Sequence, residues 1–103
     1  MSIGRSDPTA RFHLRLFIAG TAPRSRRTVE IVRRFCETHL SERHELEIVD
    51  VFQQPALAER DGILAAPTLL KLSPGPERRL TGTLDEARLL RDLLAVSVVE
   101  ERP

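Results

Sequence analysis

The stretch Phe12 to Ala19 (FHLRLFIA) constrains this chain more than any other. Phe12, Leu14, Leu16 and Ile18 fall on one side of a strand at period two. His13 and Arg15 fall on the other side, and Phe17 joins them. A strand with large apolar side chains on both faces sits in the middle of a sheet that is covered on both sides. The fold must therefore supply helices above and below.

The rest of the chain supplies them. Gly20 to Pro23 is a turn signal, and a helical pattern follows over about Arg24 to Ser41. Val32, Phe35, Cys36, His39 and Leu40 form its apolar stripe at i, i+3, i+4, i+7 and i+8. Glu45 to Val51 reads as a second strand, with Leu46, Ile48 and Asp50 on one face. Pro55 opens a short helix to Arg60, since proline in a first helical turn loses no hydrogen bond. Asp61 and Gly62 end it. Pro67 cannot donate within a central strand, so the next strand is placed after it, at Thr68 to Leu72. Ser73 to Pro76 is a hairpin turn and Arg78 to Thr81 a last strand. Thr83 and Glu86 match a capping box, which predicts a helix from Thr83 to about Val96 that buries Ala87, Leu90, Leu93 and Leu94. The order βαβαββα gives a four-stranded mixed sheet with helices on both faces, the thioredoxin-like α/β architecture. With 103 residues, one domain over 1–103 is expected, with a loose arm over 1–11 and a tail over 97–103.

Such folds carry redox thiols at the turn after the first strand, where a helix N-terminus activates them. Here that turn is Gly20-Thr21-Ala22-Pro23-Arg24-Ser25, without cysteine. Exchange needs a thiolate, so dithiol chemistry is excluded. The single cysteine, Cys36, lies on the apolar stripe and reads as a small buried hydrophobe. A single-thiol redox role would have to use it, from the wrong position. Ser25 reads as a local cap. His13, His39 and His44 lack metal-ligand spacing, and the glycines form no phosphate loop. No catalytic residue, metal or cofactor is expected. A formal charge of +1 argues against nucleic acid. No apolar run approaches a membrane span, and no signal peptide is visible, so the expected setting is cytoplasmic.

Binding remains. Arg24, Arg26 and Arg27 open the first helix, where the dipole disfavours cations, so helix stability does not explain them. Lys71, Arg78 and Arg79 flank the second turn. These two basic clusters suit an acidic protein surface or self-assembly.

The residues also resemble a known family. Leu14 to Gly20 (LRLFIAG) resembles the L-K-L-Y-V-A-G of KaiB proteins, and Pro23 and Ser25 fit T-P-x-S. Ile48 to Val51 resembles V-I-D-V, Pro55 to Glu59 resembles P-Q-L-A-E, and Asp61 to Leu69 resembles D-K-I-L-A-T-P-T-L. Pro74, Pro76, Arg78, Arg79 and Gly82 fit P-x-P-x-R-R-x-x-G. The resemblance covers about Phe12 to Leu94.

It implies a non-enzymatic clock component that binds the N-terminal ATPase ring of the KaiC hexamer and modulates its phosphorylation and ATPase cycle. Further implied partners are a KaiA-like protein and a sensor histidine kinase, the latter also as the target of a stress-response or signalling adaptor. The resemblance also implies a metamorphic chain. A dimeric or tetrameric ground state has a rearranged C-terminal half, and a thioredoxin-like monomer binds KaiC. Arg15, Arg27 and Arg79 occupy basic family positions tied to partner contacts. Pro67, Gly82, Thr83 and Asp85 are the implied switch positions, with a cis bond at Pro67 in the thioredoxin-like state. Two departures stand out: Gly62 replaces a family lysine, and Thr83 replaces an aspartate. The capping box at Thr83 is expected to favour the thioredoxin-like state.

Overall fold

The computed structural model describes residues 10–94. The expectations for residues 1–9, for Val96 and for the tail fall outside them. The elements are β1 (Phe12–Ile18), α1 (Pro23–His39), β2 (His44–Asp50), α2 (Pro55–Arg60), β3 (Thr68–Ser73), β4 (Arg78–Thr81) and α3 (Glu86–Leu94). This is the expected order.

The sheet runs β2-β1-β3-β4. β1 pairs parallel with β2, with Leu16 opposite Ile48, and antiparallel with β3, with Leu16 opposite Leu69. β3 and β4 form the hairpin, with Leu69 opposite Leu80. β1 is thus interior, as its two apolar faces require.

Each face has its own core. Phe12, Leu14, Leu16, Leu69 and Leu80 pack with Val32, Phe35, Cys36 and Leu40 of α1 and with Leu84, Leu89 and Leu93. On the opposite face Phe17, Val49 and Leu70 pack with Ala58 of α2. One-residue alternation along β1 assigns Leu16 to the first core and Phe17 to the second. α1 and α3 share one face of the sheet, and α2 covers the other.

Three expectations need correction. α1 begins at Pro23, its N-cap is Ala22 without a side-chain cap, and it ends at His39, two residues before Ser41. β2 alternates as expected, with Leu46 packed against the main core and Val49 buried on the opposite face; Asp50 reaches the β1–α1 corner. Thr83 does not cap α3. Asp85 does, accepting from the Arg88 N–H at 2.9 Å. The reason is Leu84, which is buried in the main core and so keeps residues 83–85 in a connecting loop. Of the residues expected to be buried, Leu93 is, Leu90 and Leu94 pack half-buried against the same core, and Ala87 is exposed, with Leu89 buried in its place.

Ser25 also differs from expectation. Its Oγ accepts from the Ala19 N–H at 3.0 Å, so it closes the turn between β1 and α1 and leaves the helix end uncapped. Asp50 holds the same corner from the other side. Its Oδ1 accepts from the Gly20 N–H at 3.2 Å and the Phe52 N–H at 2.9 Å. Gly20 has φ +56°, and the Phe52 ring packs so closely that a Cβ there would lie 3.2 Å from it.

Candidate partner-binding site

The turn where redox enzymes of this architecture keep their thiols is a closed corner of backbone and side-chain hydrogen bonds. Cys36 is remote from it, fully buried on α1. Burial, with Glu37 adding to it, pushes the thiol up to about 11, so it carries almost no thiolate near neutrality. Among the described residues no cluster of His, Cys, Asp or Glu has the arrangement of a metal site. No helix among them is long and apolar enough to cross a membrane.

The basic residues separate into three groups. Arg24, Arg26 and Arg27 are exposed at the start of α1, whose first turn has no acidic residue. Their guanidinium groups have no partner among the described residues. These are available charges.

Arg15 and Arg79 are committed. The Arg15 side chain is only 14% exposed, with Nε 2.9 Å from Glu47 Oε1 and Nη1 2.9 Å from Asp61 Oδ2. Burial opposes its charge, but the hydrogen bonds and charges of Glu47 and Asp61 outweigh burial and raise its pKa. Burial likewise pushes Asp61 up, and the hydrogen bonds from Arg60 and Arg15 outweigh it, so its carboxyl titrates below the usual range. Arg79 donates from Nη2 to the Asp61 carbonyl at 2.8 Å and from Nη1 to the Gly62 carbonyl at 2.9 Å. Gly62 has φ +67°, a conformation that a side chain resists. The family lysine at this position would be strained in this conformation.

Lys71 leaves the expected surface cluster altogether. It is 6% exposed, and its ammonium donates to the carbonyls of Pro74 and Pro76. Leu14 lies opposite it in β1, so the side chain points to the α1/α3 face and ties down the β3–β4 turn. Burial, with the Arg78 charge nearby, lowers its pKa. Arg78 is exposed and lies 3.6 Å from Asp92 of α3.

The implied switch positions fall in two places. Pro67 is buried before β3, with a cis bond from Ala66; Ser73–Pro74 is cis as well. Gly82, at φ +80°, follows β4. Arg88 Nη1 donates to the carbonyls of Thr81 and Thr83 at 2.6 and 2.9 Å, bracketing that glycine.

Sequence reasoning missed two exposed apolar side chains, Phe52 (73%) and Leu64 (98%). Both lie on connections at the end of the sheet where β1 and β2 finish and β3 begins. α1 starts at that end too.

A mixed sheet of this order, with helices on both faces and a thiol-free corner between β1 and α1, defines a thioredoxin-fold protein. Residues 15–96 match the KaiB domain model. The chain is 43% identical over 85 residues to the circadian clock oscillator protein KaiB of Synechococcus sp. strain RCC307, covering 82% of this chain and 77% of that protein. The chain belongs to the KaiB family. Among solved structures, the N-terminal domain of Synechococcus elongatus SasA matches with a TM-score of 0.63 and 26% identity, covering 90% of this chain and 84% of that one. Chloroplastic thioredoxin z matches with a TM-score of 0.71 and 19% identity over 81% of this chain and 75% of its own, a likeness of fold alone.

Proposed function

We propose that this protein is a non-enzymatic timing regulator that docks on the N-terminal ATPase ring of a KaiC-like hexamer and modulates its ATPase and phosphorylation cycle. The observation that carries the reading is the KaiB-domain match over residues 15–96 on a fold whose redox corner lacks thiols. The thioredoxin-like conformation is the docking form in this reading. Arg24 and Arg27 are the long-range contacts, with Arg78 at the opposite turn. Gly82, Thr83 and Asp85 form the hinge into an alternative, oligomeric ground state, and Pro67 keeps the switch role that the resemblance gives it. The likeness to the SasA N-terminal domain supports competition between two domains of one fold for one ring. A KaiA-like protein is a further partner of the docked form.

The test is co-elution. The chain is mixed with a KaiC-like hexamer and ATP, incubated for up to a day, and resolved by size exclusion. A shared peak is expected. Absence of one under every phosphorylation condition refutes the reading. A pull-down that recovers a sensor kinase and no KaiC-like protein would replace it with a signalling adaptor.

A further inference from the structure

Arg15 is enclosed by two carboxylates, and Arg79, though exposed, spends two donors on backbone carbonyls; what the two hold is informative. Arg15 fixes the Asp61 carboxylate, and Arg79 fixes the Asp61 and Gly62 carbonyls. The Ile63 N–H donates to the Ala58 carbonyl at 2.9 Å, and Ile63 packs on the α2-face core. The next residue, Leu64, is 98% exposed. A single exposed leucine is ordinary. One projected from a segment fixed by two arginines, a carboxylate and a backbone hydrogen bond is a different object. The segment is already ordered, so docking Leu64 loses little conformational freedom.

Its surroundings describe the occupant. At the same end of the sheet stand exposed Phe52 and Arg24, Arg26 and Arg27, which have no partner among the described residues. An apolar anchor beside uncompensated positive charge complements an apolar socket bordered by carboxylates.

We propose that Leu64 is the apolar anchor that this protein inserts into a carboxylate-bordered socket of its protein partner, and that Arg15 and Arg79 are positioning residues that present it. The inference deepens the ring-docking reading and rests on it for the partner. Arg24, Arg26 and Arg27 make the electrostatic contact, and Phe52 flanks the anchor. Substitution at Arg79 therefore acts through Gly62 and Leu64, and no partner charge is lost with it.

The test uses the full chain and a KaiC-like hexamer with ATP, with affinity measured across a salt series, and hydrogen exchange on the free protein. Leu64→Ala should weaken binding by about tenfold or more and leave the fold intact, because the side chain touches little. Arg27→Ala should flatten the salt dependence. Arg79→Ala should weaken binding with the salt slope unchanged, and should speed exchange at the Ile63 amide while the β1 amides keep wild-type protection. Arg79→Lys should restore part of both. The proposal is overturned if Leu64→Ala binds like wild type, if Arg79→Ala flattens the salt slope as Arg27→Ala does, or if exchange at Ile63 does not change. Failure of the wild-type chain to bind the hexamer removes the ring-docking reading, and the exchange result still decides the clamp.

Discussion

Replacing Cys36 by alanine tests whether the one thiol of this protein is locked in the core. The thiol ionises near 9.0 when exposed and at about 11 in the folded protein. A group whose folded pKa is raised holds its proton more tightly when folded. For a thiol, that stability is fully present below the unfolded pKa and is lost as pH rises toward the folded one. The loss is about 1.4 kcal/mol by pH 10 and approaches roughly 2.7 kcal/mol above pH 11, at 1.36 kcal/mol per unit. Removing the buried sulfur itself costs about 1–2 kcal/mol through lost packing. Wild type should therefore be the more stable protein at pH 8, and the two should draw level near pH 10. The lowered pKa of Lys71 acts in the opposite direction but equally in both proteins, so it cancels in the difference. Urea unfolding followed by circular dichroism from pH 8 to about 10.5 measures that difference. Parallel curves would refute the argument, because they would mean that the thiol ionises alike in folded and unfolded chains. A redox role for this thioredoxin fold would then be open again.

Two further outcomes follow from the same structure. Asp85→Ala should cost about 1 kcal/mol through the lost cap, whereas Thr83→Ala should be close to neutral; equal losses in thermal unfolding would return the cap to Thr83. Asp61 titrates below its usual range, so its contribution is present above the unfolded value of about 3.9 and fades as pH falls through the folded one. The stability gap between wild type and Asp61→Asn should therefore narrow as the pH falls below about 5, and a gap independent of pH there would contradict the Arg15–Asp61 geometry.

The fold was readable because its main signals are local and redundant. Alternation over Phe12–Ile18, the stripe from Val32 to Leu40 and the prolines at 55 and 67 each fix an element within a few residues. The site was readable only in part. Arg24 and Arg27 could be singled out because they contradict the helix dipole, a contradiction visible in a short window. Arg15, Asp61 and Arg79 meet across 46 and 18 residues of chain, and no local pattern reports such a meeting. Lys71 did leave a trace. It interrupts Thr68-Leu69-Leu70-Lys71-Leu72, where both neighbours are apolar, and period-two alternation puts it on the face of Leu69. The helix start was misjudged because Thr83 and Asp85 both suit an N-cap, and the choice depends on Leu84 reaching the core. Leu64 sits in an apolar run, Ile63 to Leu72, whose composition does not distinguish the member that turns outward.

The corner between β1 and α1 has a consequence for reversibility. Its polar atoms are occupied: the Ser25 hydroxyl receives the Ala19 N–H, and one oxygen of Asp50 receives two more. Sulfur is a weaker acceptor than a hydroxyl, so a thiol at position 25 would leave the buried end of β1 poorly satisfied, at a cost of about 1–3 kcal/mol. Phe52 closes over Gly20 and narrows the approach that a disulfide substrate would need. Restoring a redox centre here would therefore require several substitutions together, each unfavourable alone. The corner acts as a ratchet against the return of thiol chemistry to this frame.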